Sequence, residues 1–197
     1  MASRLLLIRH AETGAAGKGL LIGSTEIESC QDGLLRLDRF RELLSPFAPQ
    51  EWYSSPLLRA KQTAARIIET CGLDCNIRLD ERLREIDFGR WEMKSIAAIS
   101  LTEPLLLAEW ADYEDFVFPQ GEAIHHFISR VQDVFSVFCR LPAKEIAVVT
   151  HGGVIRTMIC LALNQNPKNY LLYNVRAGSL AVLDLYSEGG VLTGLNL

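Results

Sequence analysis

Two short apolar runs constrain this chain more than any other feature. Leu5-Leu6-Leu7-Ile8 and Ile146-Ala147-Val148-Val149 contain no polar residue. A strand with one wet face alternates apolar and polar residues, whereas a strand covered on both faces reads as a continuous apolar run. Each run leads into a histidine: Arg9-His10 follows the first, and Thr150-His151-Gly152-Gly153 follows the second. Strands covered on both faces need helices on both faces, and the rest of the chain supplies them. Residues 32–45 read as a helix with Leu34, Leu37, Phe40 and Leu44 on one side. After a short strand at 51–54, Ser55 is the expected N-cap and Pro56 the expected first residue of a helix running to Thr70. A strand is expected at 76–79, short helices at 95–100 and 104–111, and a long amphipathic helix at 121–140. A nearly all-apolar helix at 152–163 and strands at 178–186 and 191–196 complete the pattern. Alternating strands and helices predict an α/β fold, a three-layer sandwich with a mostly parallel central sheet flanked by helices. Residues 80–118 break the alternation and read as a cap-like insertion over one edge of a single domain.

Composition removes several classes of function. The 197 residues are 49% apolar and 22% charged, which suits an ordinary folded domain without disulfide or metal staples. The net charge is −4 with Lys and Arg scattered, so neither nucleic acid nor an anionic membrane surface is an expected partner. No apolar run reaches the roughly 18 residues of a spanning helix, and the apolar part of the N-terminus is too short for a secretory signal. The five cysteines are odd in number and form no CxxC pair. Cys71 and Cys75 lack nearby histidines to complete a zinc set, so reduced thiols, a cytoplasmic location and no metal or other cofactor are expected.

The chemistry gathers where strands end. In an open α/β sheet, ligands bind outside the carboxyl ends of the strands. If the two apolar strands are neighbours, His10 and His151 face one crevice. Arg59 lies in the first turn of its helix, where the positive end of the helix favours an anion. Gly152 and Gly153 leave the backbone N–H groups of another helix start open to approach. With Arg9 these groups make a positive pocket on an acidic protein, suited to a doubly charged phosphoryl group. His125 and His126, adjacent on an amphipathic helix, read as solvent or packing residues.

Five segments carry a family resemblance: LLLIRHAET (5–13), SSPLLRAKQTA (54–64), ERLREIDFGRWE (81–92), FPQGEAIHHF (118–127) and VVTHGGVIRT (148–157). In this order they resemble the histidine phosphatase superfamily, with its phosphoglycerate mutase-like fold, and within it the α-ribazole phosphatases and related small phosphatases. The resemblance implies a single histidine phosphatase domain over 1–197. It implies that His10 is the nucleophile that becomes phosphohistidine, that Arg9 and Arg59 clamp phosphate, and that His151 contacts the transferred group. Thr13 falls at the phosphate rim, and Glu85 matches the proton donor to the leaving group. Spacing alone leaves Glu81, Asp87 and Glu92 open as rivals of Glu85; the motif match selects Glu85.

The roles suit the residue types. A largely neutral imidazole is a nucleophile at physiological pH, and its second ring nitrogen should donate to a carbonyl to fix the tautomer. Phosphoryl transfer makes little covalent demand, so positive clamps supply most of the catalysis. The implied activity is a metal-independent phosphomonoesterase acting on a small phosphorylated substrate. α-Ribazole 5′-phosphate of cobalamin biosynthesis is the first candidate, and other small esters such as sugar phosphates or nucleotides are the alternative. A phosphoglycerate mutase is disfavoured by chain length, because mutases of this family resemble longer chains. A non-catalytic phosphate-binding protein is the reading from a different class. A homodimer is left open.

The chain departs from the family pattern around the pocket. Ala11 replaces the usual glycine after the histidine, Ala16 a phosphate-contacting asparagine, and Ser24 a rim arginine. Met93 and Ala123 replace the Gly and Ser of the WEG and GES segments. The expected consequence is on substrate and rate more than on reaction class.

Overall fold

A computed structural model describes residues 3–15, 17–110 and 115–197. Ala16 and the final residue of the helix expected at 104–111 lie outside the described residues. The sheet contains β1 (Ser3–Arg9), β2 (Glu51–Ser54), β3 (Ile77–Leu79), β4 (Glu145–Thr150), β5 (Leu180–Tyr186) and β6 (Gly189–Gly194). Its order is β3-β2-β4-β1-β5-β6. The first four strands in that order run parallel, and β5 and β6 add an antiparallel edge. The two apolar runs are therefore central neighbours, paired from Arg4 opposite Glu145 to Arg9 opposite Thr150.

Pleating sends alternate residues of these strands into two separate cores. Leu5, Leu7, Ile146 and Val148 face one side, Leu6, Ile8, Ala147 and Val149 the other. On the first side, α6 (Ile124–Arg140) contributes Phe127, Val131, Val134 and Phe138, and α7 (Gly152–Ala162) contributes Val154, Ile155, Met158 and Ile159. Trp91, Ile99, Phe116 and Phe118, from the stretch at 80–118 with α4 (Ile96–Thr102) and α5 (Pro104–Glu109), bury into this same core. On the second side lie α1 (Gln31–Leu35), α2 (Phe40–Leu43) and α3 (Leu58–Cys71), with Leu37, Phe40, Ala60, Ala64 and Ile67 buried. This is a three-layer sandwich around a mixed sheet.

Several boundaries differ from expectation, each for a local reason. The helix expected at 32–45 is broken by a 3-10 turn, Arg36–Arg39, between α1 and α2. Leu34, Leu37 and Phe40 recur at a spacing of three, which matches 3.0 residues per turn and not 3.6. Helix α3 begins at Leu58, and its N-cap is Leu57 without a side-chain hydrogen bond. Ser55 is thus not the cap; its hydroxyl is engaged with His151. Helix α6 begins at Ile124, because residues 119–123 turn back with Gln120 at φ 58° and Gly121 N–H bonded to the Phe118 carbonyl. Strand β6 starts at Gly189, since Tyr186 pairs directly with Gly189 across a two-residue turn.

Candidate active site

The register of β1 and β4 places His10 and His151 side by side, one residue past the last paired positions. Their rings lie 5.1 Å apart between centroids, and the His10 N–H donates to the Thr150 carbonyl at 2.9 Å. His10 is buried, and its Nδ1 lies 2.7 Å from the Ala11 carbonyl. Only a protonated Nδ1 can make that bond, so the neutral ring keeps its lone pair on Nε2. Burial, with Arg59 and Arg9 nearby, pushes His10 well below its ordinary pKa of 6.5. Burial, His10 and the surrounding arginines do the same to His151. Both imidazoles are held neutral.

The two arginines are anchored from behind. Arg9 Nη1 donates to the Val175 carbonyl at 2.6 Å. Its guanidinium packs on Gly152, where a Cβ would meet Arg9 Cζ at 3.3 Å, tighter than most real contacts. Arg59 is fully buried and donates from Nη1 to the Thr25 carbonyl and from Nη2 to the Gly23 carbonyl, at 2.9 and 2.6 Å. Burial lowers the pKa of both guanidiniums, opposed by the Glu85 carboxylate, and both stay charged. Among the described residues four buried side-chain polar atoms have no hydrogen-bond partner, and three of them are Arg9 Nε, Arg59 Nε and His151 Nδ1. Buried donors are nearly always satisfied, so this concentration in one cluster marks a place for an acceptor-rich ligand.

Glu85 accepts from the Gly153 N–H at 2.9 Å, in the first turn of α7, and from the Ile86 N–H at 3.2 Å. It lines a cavity of about 960 Å³ whose walls include Ile86, Phe88, Trp110, Phe118 and Phe127. The rival carboxylates are occupied elsewhere. Glu92 accepts from the N–H groups of Gly23, Ser24, Thr25 and Phe88 and from the Thr25 hydroxyl. Asp87 accepts from Gly89 N–H, and Glu81 pairs with Arg84 at the surface. Thr13 is buried and bridges to Ser29 through its backbone, and its side chain makes no hydrogen bond to the other described pocket residues. His125 and His126 are exposed on α6, packed edge to face against one another.

Two supporting residues carried no sequence signal of their role. Arg130, on α6, donates to the carbonyls of Arg82, Arg84 and Glu85 and pairs with Glu122, so it fixes the loop that presents Glu85. Glu92 holds the 23–25 loop whose carbonyls hold Arg59. Glu122 and Arg130 are eight residues apart, and nothing in the sequence announces the contact with residues 82–85. Of the family departures, Ala11 does not adopt a positive φ, so its methyl group causes no backbone strain, and it packs in the core. Met93 does adopt one, at φ 60°.

Fold and side chains together define an α/β protein with two neutral histidines and two arginines clustered at the carboxyl ends of its central strands. The chain belongs to the histidine phosphatase superfamily (branch 1), whose family model matches residues 5–197. It is similar to the adenosylcobalamin/alpha-ribazole phosphatase of Salmonella typhimurium, 28% identical over 198 residues, covering 98% of this chain and 96% of the relative. It is also similar to phosphoserine phosphatase 1 of Hydrogenobacter thermophilus, 26% identical over 196 residues, covering 98% and 92%. Among solved structures, the alpha-ribazole phosphatase from Shigella flexneri superposes with a TM-score of 0.87 at 24% identity, covering 98% of this chain and 96% of that one, a likeness of fold. Family membership makes the protein a phosphatase-type hydrolase acting on small phosphate esters. No described helix is long and apolar enough to cross a membrane.

Proposed function

We propose that the protein is a metal-independent phosphomonoesterase that works through a phosphohistidine at His10. The observation that carries this reading is the 2.7 Å contact between His10 Nδ1 and the Ala11 carbonyl, which leaves Nε2 as the nucleophilic nitrogen beside the buried Arg59 and the half-buried Arg9. In the first step the Nε2 lone pair forms the N–P bond as the P–O bond to the leaving group breaks. The electron pair stays on the leaving oxygen, which takes a proton from the Glu85 carboxyl. In the second step water attacks phosphorus, Glu85 takes a proton from it, and the N–P pair returns to Nε2. Arg9, Arg59, the His151 Nδ1 side and the Gly152 N–H hold the phosphoryl oxygens throughout, with Thr13 at the rim.

For the substrate we favour α-ribazole 5′-phosphate. The cavity beyond Glu85 is roomy and aromatic-walled, which suits the flat apolar base of that ester better than a small polar leaving group such as serine. The Salmonella relative supports the same choice, and the Hydrogenobacter relative makes phosphoserine the comparison substrate. The test is phosphate release in EDTA from p-nitrophenyl phosphate, α-ribazole 5′-phosphate and phosphoserine, with wild type and His10→Ala in parallel. We expect release by wild type that disappears in the variant, with the highest kcat/KM on α-ribazole 5′-phosphate. A folded wild-type protein that releases phosphate from none of them would leave a binding protein as the better reading.

A further inference from the structure

The proposed chemistry uses His151 as a donor to the phosphoryl group but does not say what keeps its proton on the correct nitrogen. We propose that Ser55 is a positioning residue whose hydroxyl donates to His151 Nε2 and thereby holds the imidazole proton on Nδ1, toward the phosphoryl site. The inference rests on the reading of the pocket given above. Ser55 Oγ and His151 Nε2 lie 2.7 Å apart, and both residues are fully buried. Two assignments of the shared proton exist. If the ring donated from Nε2, the Ser55 hydroxyl proton would need another acceptor. Among the described residues its only other hydrogen bond is one it accepts, from the Leu57 N–H at 3.3 Å. The ring would also turn a bare Nδ1 lone pair toward an anion. If the hydroxyl donates to Nε2, its proton is used and Nδ1 carries the N–H. That Nδ1 is one of the four buried side-chain polar atoms without a partner among the described residues. An unsatisfied buried donor costs about 1–3 kcal/mol until a ligand oxygen satisfies it.

The backbone places Ser55 for this contact. Its N–H donates to the Val149 carbonyl at 2.9 Å, which carries the β2–β4 pairing one residue beyond the strand. Helix α3 starts only at Leu58, so the hydroxyl is free of capping duty. The charged groups around His151 are Arg9 on β1, Arg59 on α3 and Arg130 on α6, with neutral His10 alongside. Three cations disfavour a second proton on the ring, so the choice is between two neutral tautomers, and the hydroxyl decides it.

The test reads the tautomer directly. Histidine labelled with 15N gives distinct ring-nitrogen shifts for protonated and bare positions, and the His151 signals are assigned by their loss in His151→Gln. In the wild type we expect a protonated Nδ1 and a bare Nε2 between pH 6 and 8, with the Nδ1 signal moving on addition of inorganic phosphate. In Ser55→Ala the preference should weaken or reverse. Its kcat on p-nitrophenyl phosphate should fall about a hundredfold, the loss typical of one misdirected donor, with a smaller change in KM. Ser55→Thr, which keeps the hydroxyl, should restore both the tautomer and the rate. A wild-type His151 protonated at Nε2 overturns the proposal, even if Ser55→Ala fails to fold. So does Ser55→Ala with an unchanged tautomer or an unchanged kcat. A wild type that hydrolyses no ester removes the phosphatase reading, while its ring spectrum still decides the tautomer.

Discussion

Four carboxylates, Glu81, Asp87, Glu92 and Glu85, lie within a dozen residues of chain, and their side chains have different fates. A carboxylate that accepts several backbone N–H groups is a structural strut, and Glu92 is one for the 23–25 loop. Glu85 holds only two N–H donors and faces the cavity, so it can exchange a proton with a ligand. Glu85→Gln should therefore lower kcat/KM by about a hundredfold or more on an alkyl phosphate. The loss should be much smaller on p-nitrophenyl phosphate, whose leaving group needs no proton. Equal losses on both esters would remove the acid role. Motif resemblance picked out Glu85, yet no residue pattern could show that Arg130, 45 positions away along the chain, grips its carbonyl. Such a contact is made by folding and leaves no periodic trace.

Helix starts and turns do the placing at the next scale up. The first turn of α7 presents the Gly153 N–H to Glu85, and a Cβ there would come within 2.4 Å of Glu85 Oε1. Gly153→Ala should keep the fold and displace the carboxylate, seen as a drop in kcat with far-UV circular dichroism unchanged. Met93 occupies a left-handed conformation at φ 60°, where a side chain costs about 1–2 kcal/mol and glycine does not. Glycine returns part of that through its greater freedom in the unfolded chain, so Met93→Gly should raise unfolding stability by about 0.5–1 kcal/mol, read by urea titration. The amphipathic pattern of α6 and the buried character of α7 were legible from spacing. Their starting residues were not, because caps and turns answer to the neighbouring loop: residues 119–123 bend to meet Asp87 and Gly89.

Across the whole molecule, burying two neutral histidines links folding to pH. Each folded pKa lies below 6.5, so below that pH the unfolded chain binds protons that the native state refuses. Their contribution is complete above pH 6.5 and is lost as pH falls through it, at up to about 1.4 kcal/mol per pH unit for each imidazole. Denaturation midpoints at pH 7.5 and 5.5 should show this loss, and His10→Asn should remove about half of the slope. Inorganic phosphate at a hundred times its Kd should add about 2.7 kcal/mol at neutral pH by mass action. Absence of any phosphate effect would contradict an anion site.

The sequence by itself determined which strands are central, because only strands covered on both faces can be continuously apolar, and it determined that each ends in a histidine. It also determined the α/β class and, through five ordered segments, the family. Tertiary structure alone decided that β1 and β4 are neighbours in parallel register, which brings His10 and His151 to 5.1 Å. It decided that Ser55 serves a histidine and does not cap a helix, and that Glu92 and Arg130 support Arg59 and Glu85 from a distance. Local pattern reports what a residue's own element needs. Hydrogen bonds between segments far apart in the chain depend on how the layers pack, and no window of sequence contains both partners.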